Sequence, residues 1–405
     1  MEMLPSAEIC EGFCTAICKT VYSMTLFQDT GGDPRAAAAQ LADVLALYGA
    51  LGDATCGNPP GFAARKAACA VSLATVAELD AATRDALYFA GLLHAVGAIG
   101  NPAYRKGERL SERMTRIESW DVPAQGARAC AEIAGLPSES ADLVRWQHEC
   151  WDGTGYPDQL RWHGIPLPAT LLSLADAFVR AGEPEEALAS VSAQAGRAFG
   201  PEFGRTFTMW FHLTGGEPEP AQVPLDALQA DPAATAALLE RIADRIDAHN
   251  GVAGRWRRVS RLAEAAAGVL GAEPGAARDL AVAARLYGSG EIAERAEDSE
   301  SSFDPLARLG IDERAAHAVG AAAFAEGNAT LGGAAAVLRA RGEWFDGTGK
   351  PHGLFQKAIP MTSGILAAAI AYDSLDHKDR IEGATGTQFD PRVVRAIFDV
   401  ARSLA

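Results

Sequence analysis

A short turn-forming motif occurs twice in this chain of 405 residues, and the repeat limits what the chain can fold into. Residues 152–157 read Asp-Gly-Thr-Gly-Tyr-Pro, and residues 346–351 read Asp-Gly-Thr-Gly-Lys-Pro. The intervals from position 62 to 94 and from 255 to 287 are both 32 residues, and those from 147 to 176 and from 341 to 370 are both 29. Equal intervals around a shared motif predict two copies of one domain, offset by 193–194 residues.

Helical periodicity dominates both copies, and the alternating pattern of β-strands is scarce. Glycine- and proline-rich breaks at 30–34, 57–61 and 215–220 separate the helical stretches. We therefore predict an all-α fold. The predicted segments are an N-terminal helical extension (1–56), a first domain (57–182), a helical connector (183–250) and a second domain (251–405).

The formal charge of −16 argues against binding to a nucleic-acid polymer or an anionic membrane surface, both of which need a basic face. No apolar run approaches the roughly 20 residues that span a bilayer. The N-terminus lacks the basic and then apolar pattern of a signal peptide. We expect a soluble, cytoplasmic protein.

Seven cysteines, an odd number, lie between Cys10 and Cys150, which does not suit a disulfide framework in a chain of this size. Cys10, Cys14 and Cys18 recur every four residues and predict one stripe of a helix. The stripe is either a small buried contact or a metal, cofactor or redox site, and the absence of a CxxC pair favours the first.

Four separated blocks of the first copy resemble the HD-GYP family. They are Leu-Leu-His-Ala-Val-Gly-Ala-Ile at 92–99, His-Glu-x2-Asp-Gly-x-Gly-Tyr-Pro at 148–157, Ile-Pro-Leu at 165–167 and Ala-Asp-Ala-Phe at 175–178. The family consists of all-α, metal-dependent phosphodiesterases that open cyclic di-GMP. The resemblance implies two tandem HD-domain-like helical bundles. The second copy, 251–376, resembles the family through its spacing and its turn.

The resemblance also implies a metal site, which this sequence retains only in part. Two or three metal ions in the family lower the pKa of a bridging water and so supply hydroxide at neutral pH. Of eight ligand positions, three keep a ligand: His94, His148 and Asp176. The positions that have lost theirs carry Asn58, Phe62, Ala95, Val122 and Gln147, and the phosphate-binding lysine is replaced by Ala98. In the second copy, the corresponding residues are Gly251, Arg255, Tyr287, Gly288, Arg341, Gly342 and Ile370.

Two hypotheses account for the three retained residues. In the first, His94, His148 and Asp176 hold a single divalent ion, iron or manganese. In the second, Asp176 forms a structural pair with one of the histidines. The second hypothesis follows because a buried carboxylate is costly unless it is paired or coordinated.

Two hypotheses also account for the motif loop. In the first, its role is structural: Glu149 and Asp152 brace or cap the turn, while Gly153, Gly155 and Pro157 supply the backbone angles it needs. The second is a docking role: in the family this loop is associated with docking to partner signalling proteins, and an exposed Tyr156 would suit such a contact. The second copy keeps the turn without the ligands, which favours a structural role.

We expect a catalytically degenerate HD-GYP-like protein that acts as a regulator, scaffold or ligand sensor in cyclic-dinucleotide signalling. The alternative is a metal-dependent phosphodiesterase or phosphohydrolase with an altered mononuclear site. Because a duplicated domain can reproduce the two-fold contact of an ancestral homodimer, we also expect an intramolecular pseudo-dimer.

Overall fold

The structure, a computed structural model, describes residues 26–27, 32–101, 104, 121–297, 313–374 and 379–404. Cys10, Cys14 and Cys18 lie outside these residues, so the cysteine stripe stays a prediction. Within the described residues the secondary structure is helical, with two isolated β-bridges and no strand. The predicted all-α class is therefore confirmed.

The described helices of the first half follow the breaks expected from the sequence. They are α1 (Pro34–Cys56), α2 (Phe62–Val76), α3 (Ala81–Leu92), α4 (Val122–Ala131), α5 (Glu139–Trp146), α6 (Leu167–Ala181), α7 (Pro184–Ala193) and α8 (Pro201–Thr214). Short 3-10 helices, Val96–Ala98, Trp162–Gly164 and Leu225–Ala227, lie between them.

The ends of these helices are set by capping residues. The Asp33 carboxylate accepts a hydrogen bond from the Arg35 amide at 2.9 Å at the start of α1, and Pro34 supplies a suitable first-turn φ. Gly57, in the left-handed region at φ 74°, ends the same helix. Asp80 caps α3 by accepting from the Thr83 amide at 2.8 Å.

The core of this half forms where α2 packs against α3 and α6, and α4 against α5. Gly91 allows the close approach of α3 to α2, because a Cβ there would lie 2.6 Å from the Cα of Ala67. Helices α7 and α8 pack on this core as well. The Trp210 indole of α8 lies 5.0 Å from the Phe178 ring and donates to the Ser72 hydroxyl at 2.8 Å.

The second half repeats this order of elements. Its helices are α9 (Pro232–Asn250), α10 (Arg255–Val269), α11 (Pro274–Leu286), α12 (Gly290–Glu297), α13 (Glu313–Ala325), α14 (Gly332–Arg339), α15 (Met361–Ser374), α16 (Asp379–Gly383) and α17 (Pro391–Leu404), with 3-10 helices Tyr287–Ser289, Ala340–Gly342 and Gln356–Ala358. Even the isolated bridges recur, Ala195 with Phe199 and Thr385 with Phe389.

The described helices divide into two compact units. Helices α1–α8 belong to the first unit, and the division falls at Leu239 within α9. Helices α10–α17 belong to the second unit, except for the last three residues of α12 (295–297), which group with the first. The sequence-based boundaries at 56, 182 and 250 stay predictions.

Within the described residues, no helix has both the length and the apolar character needed to cross a membrane. The longest of them, α1, has 23 residues and carries Asp43 and Asp53.

Candidate functional site

The motif loop after α5 is held closed by Glu149. Its side chain is buried, and its two carboxylate oxygens accept hydrogen bonds from the amides of Asp158 at 2.7 Å and Leu160 at 2.9 Å. Burial raises the pKa of Glu149, although the two amides favour the charged form and oppose that rise. The carboxylate thus ties both sides of the loop together.

The turn itself depends on Asp152 and two glycines. The Asp152 carboxylate accepts from the amide and the hydroxyl of Thr154 at 2.9 and 2.6 Å. Gly153 has φ 81°, and a Cβ on Gly155 would lie 2.2 Å from the amide nitrogen of Cys150. The peptide bond before Pro157 is cis.

The second unit contains the same loop, with equivalent hydrogen bonds. Glu343 accepts from the amides of His352 and Leu354 at 2.7 and 2.8 Å, and Asp346 accepts twice from Thr348. The bond before Pro351 is cis as well. Glu149 and Asp152 therefore hold the shape of the loop through the same hydrogen bonds that Glu343 and Asp346 form in the second copy.

Tyr156 does not stand free on the loop. Its ring stacks on the imidazole of His148, with centroids 5.2 Å apart and planes 21° apart, and it is half-buried. Burial raises the pKa of Tyr156 to about 12. Its side chain lines a cleft of the first unit and is not the exposed anchor that the sequence suggested.

Asp176, on α6, is paired with two cations. Lys66, on α2, is completely buried and donates to the Asp176 carboxylate at 2.9 Å and to the side-chain oxygen of Gln147 at 2.7 Å. Arg180, one turn further along α6, donates from Nε to the other carboxylate oxygen at 2.7 Å. The histidine partners expected from the sequence are thus replaced by Lys66 and Arg180, whose positive charges satisfy a buried carboxylate better than a neutral imidazole does.

His94, beside this ion pair, has a partner at each ring nitrogen. Its Nδ1 lies 3.0 Å from the carbonyl oxygen of Gly91 and must donate to it, so Nε2 carries the lone pair. Nε2 lies 3.4 Å from the amide nitrogen of Asn58, which also bonds Asp53 at 3.1 Å. The ring contacts Phe62, with centroids 5.5 Å apart. His94 is thus a buried histidine with neighbours at both ring nitrogens and on its ring face.

The electrostatics of the site follow from burial around a fixed ion pair. Burial alone would raise the pKa of Asp176, but Lys66 and Arg180 outweigh it and hold that pKa far below its usual range. Burial lowers the pKa of Lys66, and Asp176 opposes that change. Burial also lowers the pKa of His148 to about 4, against the attraction of Asp176. Both His94 and His148 are therefore neutral at pH 7.

These donors fit a divalent ion poorly. Both oxygens of Asp176 are engaged by cations, and the lone pair of His94 faces the amide of Asn58. Within the part of the chain that the structure describes, no group of three His, Cys, Asp or Glu residues is arranged to hold a metal. Metal binding by His94, His148 and Asp176 stays a prediction, with the Lys66 ammonium competing for the carboxylate.

A cleft of about 490 Å³ opens beside the ion pair in the first unit. Its lining includes Arg180, Asp176, His148, Tyr156 and Gln194. The volume falls in the range of about 300–1,000 Å³ that small-molecule sites occupy. The cleft thus presents a guanidinium, an amide and an aromatic stack to a ligand.

Lys66, Arg180 and Asp53 were missed by the reading of the sequence. Arg180 follows Asp176 by four residues, a spacing that places both on one face of a helix. Lys66 follows Arg65 and is the last charged residue of α2 before an apolar stretch. This position suggests a solvent-exposed side chain more than a buried one. Asp53 accepts from the Ala63 amide at 2.8 Å, a contact that only the fold creates.

In the second unit the equivalent positions carry different chemistry. Arg255, Tyr287 and Arg341 stand where the first unit has Phe62, His94 and Gln147. Ile370 takes the place of Asp176, so the second unit lacks the carboxylate at its centre.

Similarity to known proteins agrees with this picture of two related units. The HD domain family model matches residues 53–203 and 238–388, more than half of the chain. A protein of Vibrio cholerae named cyclic di-GMP phosphodiesterase is 33% identical over 103 residues, which cover 23% of this chain and 20% of the relative. A cyclic di-GMP phosphodiesterase of Thermotoga maritima is 26% identical over 137 residues, 30% of this chain and 36% of the relative.

The alignments thus span about a fifth to a third of the length of these curated relatives. The crystal structure of a cyclic GMP-AMP-specific phosphodiesterase of Vibrio cholerae has the same fold, with a TM-score of 0.63 at 19% identity, over 89% of this chain and 97% of that one. The chain belongs to the HD domain family, carries the domain twice, and resembles its HD-GYP branch.

Proposed function

We propose that this chain is a catalytically degenerate HD-GYP-like protein that binds a cyclic dinucleotide in the cleft of its first unit and acts as a regulator, scaffold or sensor. The observation that carries the proposal is the Lys66 ammonium on Asp176, the last carboxylate of the family's metal site. Metal ions would supply hydroxide at such a site. Here a protein cation occupies the carboxylate instead.

The remaining residues support binding more than turnover. Ala95 and Phe62 offer no donor atom where the resemblance implies ligands, and neutral His148 is stacked on Tyr156. Arg180, with its side chain half exposed at the cleft, is placed to contact a phosphodiester, and a half-buried aromatic such as Tyr156 offers a face to a base. The names of the relatives motivate cyclic dinucleotides as the ligand class.

Calorimetry with cyclic di-GMP and with cyclic GMP-AMP, in the presence of EDTA, tests the proposal. We expect saturable binding without metal, no linear dinucleotide on chromatography, and an affinity about tenfold lower for Arg180→Met, the loss of one charged hydrogen bond. Arg205→Met on α8, at an exposed arginine outside this cleft, is the matched control. Absence of binding by both dinucleotides would contradict the proposal.

The alternative is a phosphohydrolase with one metal at His94, His148 and Asp176. It is favoured by the position of His148 and Asp176, which both line the same cleft. Lys66 would have to leave the carboxylate for a metal to bind. Stoichiometric iron or manganese in the purified protein, with hydrolysis abolished by Asp176→Ala, would establish this alternative and refute degeneracy.

Two further expectations from the sequence remain proposals. A signalling protein that docks on the motif loop would meet Tyr156 only at its exposed edge, and loss of binding to Tyr156→Ala with retained folding would support it. An intramolecular pseudo-dimer, in a cytoplasmic protein, follows from the duplication. A solved structure without an approximate two-fold axis between the units would refute it.

A further inference from the structure

The second unit gathers polar groups at the positions where the first unit holds Phe62, His94 and Gln147. The correspondence is fixed by backbone contacts. Ala63 and Trp256 each donate an amide to an aspartate, at 2.8 and 2.9 Å, directly after positions 62 and 255. The motif loops are likewise equivalent, as described above. Arg255, Tyr287 and Arg341 therefore occupy the centre of the second unit.

Tyr287 places a hydroxyl there that has no hydrogen-bond partner among the described residues. The residue is 4% exposed, and its oxygen is buried. The guanidinium of Arg255 lies over the ring, with its central carbon 5.5 Å from the centroid. At the corresponding positions of the first unit, the ring centroids of Phe62 and His94 also lie 5.5 Å apart. A buried phenol without a partner is uncommon in folded proteins and points to a missing ligand group.

Arg341 adds a charge that forms no ion pair with the described residues. Its Nε is buried and unpartnered, and the structure gives its side chain no hydrogen bond or ion pair with the residues described. In the first unit, Gln147 at this position bonds Lys66, whose charge Asp176 balances. Val259 and Ile370 replace that pair in the second unit, so nothing balances Arg341 in the same way. Burial lowers the pKa of Arg341 to about 10, which still leaves it charged at pH 7.

The carboxylates nearby pair with other arginines: Glu291 and Asp373 lie 3.7 and 4.0 Å from Arg255, and Asp373 also pairs with Arg258. Asp373 accepts two hydrogen bonds from Arg258, at 2.6 and 3.0 Å. Asp247 accepts from the amide of Trp256. Arg255 also donates to the Ser374 hydroxyl at 2.7 Å, which holds its guanidinium over Tyr287.

We propose that the second unit binds a phosphate group of a small ligand through Arg341, Tyr287 and Arg255. The three donors come from three different segments, the start of α10 and the 3-10 helices at 287–289 and 340–342. A tetrahedral phosphate offers acceptor oxygens in several directions, whereas the two oxygens of a carboxylate lie in one plane and suit a single guanidinium. This site is separate from the cleft of the first unit, and its existence does not depend on the function proposed there.

Binding of inorganic phosphate to the full chain tests the proposal, by calorimetry and ³¹P NMR at constant ionic strength. We expect one saturable site that acetate does not occupy. Arg341→Met should weaken binding by at least tenfold and Tyr287→Phe by several-fold. Arg205→Met, at the exposed arginine of α8 in the first unit, should leave the affinity unchanged.

Three results would overturn the proposal: no saturable binding, equal affinity in Arg341→Met, or loss of binding in Arg180→Met alone. Removal of an unpaired charge should not harm the fold, so Arg341→Met should melt at or above the wild-type temperature. If that variant fails to fold, the rise in melting temperature with phosphate in Tyr287→Phe decides, and a rise equal to the wild type overturns the proposal.

Discussion

At the scale of single residues, the first unit is defined by a lysine that has no access to solvent. Lys66 is surrounded by the Asp176 carboxylate and the oxygen of Gln147, and Arg180 closes the carboxylate from the other side. A buried charge is tolerated when it is paired and hydrogen-bonded. The stability of the unit therefore depends on this pair remaining intact.

Asp176→Asn should destabilise the protein by about 3 kcal/mol, because it leaves the Lys66 ammonium buried without its counter-charge. Urea unfolding followed by circular dichroism measures the loss. Asp399→Asn, which removes the exposed partner of Arg402, is the control and should cost no more than about 1 kcal/mol. Equal effects of the two substitutions would show that the buried pair is not a structural requirement.

His148 should make the protein less stable in mild acid. Its pKa is about 4 in the folded protein and about 6.5 when unfolded, so the unfolded chain binds the proton first as pH falls. Its contribution is complete above about pH 7 and is lost as pH falls from there towards 4. When the pH is lowered from 7.5 to 5, the free energy of unfolding falls in both proteins. The fall should be about 1–2 kcal/mol smaller in His148→Gln than in the wild type. Identical losses in urea titrations at the two pH values would contradict the assignment.

The sequence predicted the need of Asp176 for a partner but not the partner itself. A carboxylate between alanines on an apolar helix indicates burial, and the nearest conspicuous polar residues of the motifs were histidines. Lys66 is 110 positions away along the chain, and only the packing of α2 on α6 brings the two together. Long-range pairing of this kind leaves no local pattern to read.

At the scale of elements, the motif loop is a self-contained unit of structure. In both copies a buried glutamate accepts two backbone amides across the loop, and an aspartate caps the turn. Sequence alone predicted this role, because the copy without metal ligands keeps the same turn. What it could not predict was that Tyr156 turns inward onto His148, since the direction of a side chain depends on its neighbours.

Glu149→Gln and Glu343→Gln should have similar effects, each about 1–3 kcal/mol, since each turns one charged acceptor of backbone amides into a donor that faces an amide. Thermal unfolding of the two variants compares them directly. Because the loop role is shared, the first substitution should weaken stability no more than the second. A much larger effect of Glu149→Gln would assign Glu149 a task in the first unit beyond holding the loop.

At the scale of the whole molecule, the chain is one domain used twice. Equal intervals around the repeated turn predicted this, and the family model matches both halves. The boundaries at 56, 182 and 250 stay predictions: α7 and α8 follow a clear break at 182–184 and pack on the first unit. A break in helical pattern marks the end of a helix but says nothing about which core the next helix joins.

Because the two units are compact separately, damage to one should stay within it. Asp176→Asn should speed amide hydrogen exchange in α2, α3 and α6 by about 100-fold, the equivalent of about 3 kcal/mol, while α10, α11 and α15 keep wild-type rates. Hydrogen exchange with mass spectrometry resolves these helices. Equal acceleration in both units would show that the chain unfolds as a single cooperative body.

Lys66 is part of the chain, unlike a bound ion, and this affects how the first unit depends on its surroundings. An ion held by side chains is lost to chelators, exchanged for competing metals and altered by oxidants, so its occupancy follows the supply in the cell. The positive charge that pairs with Asp176 belongs to Lys66, a residue of the chain itself, and is present from the moment of folding. On the proposed function, the first unit should therefore keep the same shape and charge whether iron is scarce or plentiful.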